Sequence, residues 1–165
     1  MDLPGSGYFY SLAALSMAFV GFTSIVVVLH QGTGKPLSPL HFLFTSLFVE
    51  LGLMATAFSL LAPTLAICAI REDLVWRISS AIMLAGLVQW LISFARRRKR
   101  ATPNESLPLR YWVTTILSVV PIAALCLNAG SVITPGPAPL AITIVYVLSY
   151  ATVVFVFNYS LFLRD

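Results

Sequence analysis

The chain has 165 residues, of which 59% are hydrophobic and only 10% are charged. Its mean hydropathy of +0.93 lies far outside the range of soluble domains. The formal net charge of +4 comes mostly from one short basic run that directly follows an apolar segment, so nucleic acid is not an expected partner. This composition leaves little room for a soluble domain and indicates one integral membrane domain over residues 1–165.

Apolar segments of about 20 residues or more, the length needed to cross a hydrocarbon core, follow one another along the chain. Because lipid offers the backbone no water to bond, each segment is predicted to be helical. The predicted spans are approximately residues 8–30, 40–70, 74–95, 111–133 and 140–163. The predicted fold class is therefore all-α, a polytopic transmembrane helical bundle with five spans. In an alternative with four spans, TPGPAP joins two half-helices of a re-entrant hairpin.

The second predicted span is longer than one perpendicular crossing requires. We expect it either to tilt or to end early near Pro63, where the ring removes a backbone hydrogen bond.

The basic residues are distributed unevenly over the predicted connections. The N-terminal MDLPGSG has no base, so a secretory signal peptide is not expected and the N-terminus is predicted to cross the membrane. Only Arg71 and Arg77 would then lie outside. The bases predicted on the cytoplasmic side are Lys35, Arg96, Arg97, Arg98, Lys99, Arg100, Arg110 and Arg164. This asymmetry predicts an outside N-terminus and a cytoplasmic C-terminus.

The strongest charge signal is the basic run Arg96, Arg97, Arg98, Lys99 and Arg100. Directly after an apolar segment, such a run is typical of a stop-transfer anchor that contacts anionic lipid headgroups on the cytoplasmic face. A site for a specific lipid or partner is the alternative.

Glu50 lies inside the second apolar segment. Counted from about Leu40 at 1.5 Å per residue, it is predicted roughly 15 Å deep, near the bilayer centre, where a charged carboxylate is costly. No basic residue is predicted at that depth, so no salt bridge within the chain is expected. The polar residues considered with it as an ion or proton site are Ser46, Gln89 and Asn158.

Small residues form two ridges that predict close helix packing. In the second span the ridge consists of Thr45, Gly52, Thr56 and Ser59. In the first span it consists of Ala14, Ala18 and Gly21. Glu50 points about 140° away from Thr45 at 100° per residue, so it is expected to face something other than the packing partner of its ridge.

Catalytic and metal-binding motifs are sparse. Cys68 and Cys126 are far apart in sequence, and buried free thiols are expected, with a disulfide as the alternative. His30 and His41 lack a further ligand, so they are interpreted as interfacial residues. We expect no enzyme activity, no metal and no cofactor.

The stretch VGFTSIVVVLHQ, residues 20–31, resembles the first helix of small multi-pass integral membrane proteins of bacteria. The resemblance covers only this stretch. It implies a location in the bacterial inner membrane and transfers no functional residue.

Two functional hypotheses follow. In the first, the protein is a structural or regulatory subunit that self-associates or docks to a membrane assembly, with Glu50 as a packing residue. In the second, it is a homo-oligomeric channel or a proton- or cation-coupled carrier, with copies of Glu50 along a shared path.

Overall fold

The computed structural model describes residues 3, 5–31, 39–68, 70–101 and 116–162, and the side chains of several residues near helix ends are not described. His30, His41 and Asn158 belong to that last group. The helices are α1 (Ser6–Gln31), α2 (Pro39–Ile67), α3 (Glu72–Ala101), α4 (Val119–Ala129) and α5 (Ala138–Phe162). The described part of the chain contains no strand, and the predicted all-α bundle is confirmed.

Four helices, α1, α2, α3 and α5, are long and apolar enough to cross a membrane. Helix α4 has 11 residues, and its length of about 16 Å is well below the ~30 Å of a hydrocarbon core. The first part of the predicted fourth span, residues 111–115, lies outside the described residues. Helix α5 has 25 residues, so it is a full-length candidate span rather than half of a re-entrant hairpin.

Helix α3 extends beyond its predicted end at residue 95 and contains the whole basic run. The charge of this run predicts a loop. Arg and Lys are nevertheless good helix formers, and bases in the last turn interact favourably with the negative end of the helix dipole. At the other end of α3, Glu72 and Asp73 occupy the first turn, where acidic residues are favoured for the same reason.

Helix α2 continues through Pro63 to Ile67. The predicted alternative in which the helix ends early near this proline is therefore wrong. Pro63 is buried. The helix continues because a proline removes only one ladder hydrogen bond, and the neighbouring helices hold this segment in place.

Helix α2 lies at the centre of the bundle and packs against α1, α3 and α5, while α4 packs against α3 and α5. The rings of Phe9 and Trp76, 6.0 Å apart between centroids, place the beginnings of α1 and α3 at one end of the molecule. Arg77 donates to the carbonyl oxygen of Ala129 at 3.3 Å, so α4 ends there too. We call this the turn end, because it holds the short connection between α2 and α3.

The opposite end carries the basic run and an aromatic cluster from three helices. Phe48 of α2 lies 4.6 Å from Phe19 of α1 and 5.3 Å from Phe155 of α5, measured between ring centroids. We call this the basic end. Successive spans run in opposite directions because short connections join them at the same end of the bundle.

Candidate functional site

Glu50 and Arg97 form a two-pronged ion pair between α2 and α3. Arg97 Nη2 donates to Glu50 Oε2 at 2.6 Å, and Nη1 donates to Oε1. The two side chains are 36% and 37% exposed in the isolated chain, with Arg97 the more exposed. Parallel hydrogen bonds of this kind fix the orientation of both groups and are stronger than bonds between neutral partners.

This pair corrects the expectation that Glu50 has no basic partner within the chain. The expectation placed the basic run in a loop beyond the membrane. Because α3 continues to Ala101 and runs antiparallel to α2, the Arg97 side chain instead reaches the Glu50 carboxylate. Glu50 therefore faces a neighbouring helix of its own chain.

The position of Glu50 along α2 also favours a shallower location than predicted. From Glu50 to Ile67, at the turn end, the helix rises about 26 Å, and the charged turn from Arg71 to Asp73 follows. A hydrocarbon core is ~30 Å thick. With the charged turn at one boundary, Glu50 lies near the other boundary, where a carboxylate and a guanidinium cost less than at the centre.

Trp90, on α3 near the ion pair, belongs to an aromatic cluster. The Trp90 ring is stacked on Phe94 at 5.7 Å between centroids and meets Tyr150 edge-on at 6.1 Å. The indole N–H of Trp90 approaches Glu50, but neither it nor Arg97 Nε completes a hydrogen bond within the described residues. Both donor atoms are buried and have no hydrogen-bond partner among the described residues.

Of the other polar residues predicted with Glu50, Ser46 and Gln89 have described side chains. Ser46 is half-buried one turn earlier on α2. Gln89 is exposed and lines a groove along α3. The side chain of Asn158 lies outside the described residues.

The groove on α3 has a volume of about 750 Å³ and follows one face of the helix. Towards the turn end its lining is small and apolar, and towards the basic end it is cationic. Among described residues it is lined by Ala81, Leu84, Ala85, Val88, Gln89, Ile92, Ser93, Arg96, Arg97, Arg100 and, from α4, Ala129. Arg97 therefore contributes to both the ion pair and the groove.

The small-residue ridge of α2 lies inside the bundle. A Cβ atom added to Gly52 would overlap the side chain of Val20 and approach the carbonyl oxygen of Ser16 to 3.7 Å, so α1 and α2 are in close contact there. Ser59 is fully buried, whereas Thr45 and Thr56 are half-buried.

The small-residue ridge of α1 faces outwards. Ala14, Ala18 and Gly21 are all exposed, and a Cβ atom added to Gly21 would meet nothing within 4 Å in the described part of the chain. The ridge continues towards the N-terminus through Ser11 and Gly7, which are also exposed.

A buried polar cluster at the turn end was missed by sequence reasoning. The Asn128 amide is fully buried and donates to Ser80 Oγ at 2.7 Å and to the carbonyl oxygen of Gly136 at 3.3 Å. In return, its oxygen accepts from the Gly136 N–H at 3.1 Å. An amide within an apolar segment, shortly before a glycine-rich connection, was the available signal. Asn128 bonds to both of the other groups, so this cluster joins α4 to α3 and to the connection before α5.

Potential metal ligands and both cysteines occur among the described residues. No group of three potential metal ligands occurs among the described residues. Cys68 and Cys126 carry free thiols, and both are exposed rather than buried.

No protein-family model matches the chain, and no curated protein or solved structure is significantly similar to it.

Proposed function

We propose that this chain is a structural or regulatory membrane subunit that associates with a second copy of itself through α1. The observation that carries the proposal is the outward position of one small-residue ridge while the other is used inside the bundle. We define the α1 ridge as Gly7, Ser11, Ala14, Ala18 and Gly21, all of which are exposed.

The spacing of the α1 ridge suits a helix partner. Its members recur every three or four residues, which keeps them on one face of the helix, and small side chains let a second backbone come close. Large apolar residues beside the ridge, such as Leu15, Met17 and Phe22, are exposed as well and would add contact area. A membrane helix gains no hydrophobic energy from leaving lipid, so such close packing is the main source of affinity.

The ion pair supports a structural role for Glu50. A carboxylate held by both prongs of a guanidinium is occupied, and it joins α2 to α3. Within the described residues no hydrogen bond joins a second carboxylate to Glu50, and its bonded partner is Arg97. A non-catalytic role is the simplest one compatible with this chemistry.

For the membrane itself, we propose the bacterial inner membrane, with the turn end outside and the basic end cytoplasmic. The support is the number of bases at each end and the resemblance of the first helix. Anionic lipids of the inner leaflet would attract the basic run by about 1 kcal/mol for each base near the surface.

The test of self-association compares two variants in which an exposed alanine is replaced by leucine. Ala18→Leu places a large side chain on the α1 ridge, whereas Ala57→Leu places the same side chain on an exposed part of α2. Labelled protein is reconstituted at low density in vesicles, and the number of chains per fluorescent spot is counted by photobleaching. We expect pairs for the wild type and Ala57→Leu, and single chains for Ala18→Leu.

Two results would contradict the proposal. Single chains in the wild type at every protein-to-lipid ratio would rule out self-association. Pairs that persist in Ala18→Leu would place the interface on another surface.

The channel or carrier hypothesis stays a prediction, but its premise has changed because Glu50 is paired with Arg97. Ion and proton flux into vesicles, measured for the wild type and Glu50→Gln, is the test. We expect no flux from either. Wild-type flux that disappears in the variant, with the fold retained, would favour transport over a structural role.

A further inference from the structure

We propose that the groove on α3 is a binding site for one anionic phospholipid. In this arrangement the acyl chains lie along the apolar part of the groove, from Ala81 to Ile92, and the headgroup phosphate is bound by Arg96 and Arg100. The proposal is independent of the α1 interface, which lies on another helix.

The dimensions of the apolar part match one lipid leaflet. From Ala81 to Ile92 the helix rises about 16 Å, and half of a hydrocarbon core measures ~15 Å. The lining side chains in this part are mainly Ala, Val, Leu and Ile, and the residues facing the groove most directly, such as Ala85 and Val88, are exposed. A soluble anion could bind the arginines but would leave this long apolar surface uncovered.

The charge at the basic end of the groove complements a phosphate. Three guanidinium groups line it, and Arg97 is occupied by Glu50. Arg96 and Arg100 make no ion pair or hydrogen bond with any described residue. They are four residues apart and so lie on the same face of α3, where two planar forks can bind phosphate oxygens. The net charge left at the groove is positive.

A polar residue occupies the level between these two parts. Ser93 lies about 4.5 Å below Arg96 along the helix and makes no hydrogen bond within the described residues. Its hydroxyl group can donate to an ester carbonyl of the glycerol backbone, which lies between phosphate and acyl chains. Apart from Gln89 within the apolar part, the order apolar, hydroxyl, guanidinium along one helix face repeats the order of groups in a phospholipid.

A second copy of the chain fits the groove less well. A symmetric contact through this face would place Arg96 and Arg100 of one copy near those of the other, and like charges repel. An anionic lipid supplies the missing negative charge.

The test uses two double variants that remove the same charge from the same run. Arg96→Gln with Arg100→Gln changes the groove, whereas Arg98→Gln with Lys99→Gln changes bases that do not line it. Binding of phosphatidylglycerol to the purified protein is titrated by native mass spectrometry, with phosphatidylcholine of identical acyl chains as the reference lipid. We expect the groove variant to bind phosphatidylglycerol about tenfold more weakly than the wild type, and the control to lose less than threefold.

A third variant tests the apolar part. Ala85→Phe fills the groove without changing its charge, and we expect it also to lose phosphatidylglycerol, while Ala57→Phe on α2 retains it. Equal losses in the two charge variants would reduce the effect to general attraction of the basic run and overturn the site. Retention of lipid by Ala85→Phe, or equal wild-type affinity for the two lipids, would overturn it as well.

Discussion

At the scale of single residues, the Glu50–Arg97 pair determines how α2 and α3 meet at the basic end. Removing one partner from a pair that is about one-third exposed is expected to cost less than it would in a buried pair and more than in a surface pair. Its geometry requires a planar fork, which distinguishes Arg from Lys at position 97.

We expect Glu50→Gln and Arg97→Gln each to lower the free energy of unfolding by about 1–2 kcal/mol, because each leaves a partly desolvated charge without its partner. The double variant should cost less than the sum of the two. Arg97→Lys should lose less stability than Arg97→Gln but should remain less stable than the wild type. Equilibrium unfolding in mild detergent measures all four, and strictly additive losses would show that the two groups do not interact.

The adjacent residues Ser79 and Ser80 allow a matched test of the polar cluster at the turn end. Both are fully buried, but only Ser80 accepts a hydrogen bond from Asn128, whereas the Ser79 hydroxyl has no partner among described residues. Ser80→Ala should therefore cost about 1 kcal/mol, while Ser79→Ala should be neutral or slightly stabilising. Thermal unfolding of the two variants compares them, and the reverse order would contradict the assigned hydrogen bonds.

The sequence alone contains enough information to predict Arg97 as a candidate partner of Glu50. Counting the same number of residues from the charged turn back along α2 and forward along α3 places Glu50 opposite Trp90. Arg97 is two helical turns beyond Trp90, and its long side chain can reach back to Glu50. The expectation that Glu50 has no basic partner is wrong because it takes the depth of Glu50 from Leu40 and treats the basic run as a loop. The link from Asn128 to Ser80 was harder to predict, because it depends on how α4 packs against α3.

At the scale of helices, the two small-residue ridges differ in their use. Gly52 is in contact with α1, whereas Gly21 faces outwards, although both are glycines inside long apolar helices. Composition and spacing predicted that each ridge favours close packing. They could not predict which ridge is used within the chain, because this depends on the rotation of each helix in the bundle.

Gly52→Ala and Gly21→Ala should therefore have opposite effects on stability. The added methyl group at Gly52 overlaps Val20, so α1 and α2 must separate slightly, at a cost of about 1–3 kcal/mol. At Gly21 the methyl group enters open space, and the better helix propensity of Ala should stabilise the monomer by up to about 1 kcal/mol. Unfolding in detergent, under conditions where the protein is monomeric, separates the two, and similar losses would contradict the assigned helix rotation.

At the scale of the whole molecule, the alternation of helix directions fixes which segments share an end, but not which end faces the cytoplasm. Only the asymmetry of charge between the turn end and the basic end bears on orientation. Cys68 is well placed to test it, because its thiol is free and exposed, three residues before Arg71 at the turn end.

In the variant Cys126→Ala, we expect Cys68 to react in intact cells with a maleimide that does not cross the membrane. The complementary variant carries Cys68→Ala, Cys126→Ala and Lys99→Cys, and it should react only after the membrane is permeabilised. Both variants alter exposed side chains and should keep the fold. Labelling of the Lys99→Cys chain in intact cells, with Cys68 protected, would invert the proposed orientation. The proposed lipid site would then face the outer leaflet, because Arg96 and Arg100 lie at the same end of α3 as position 99.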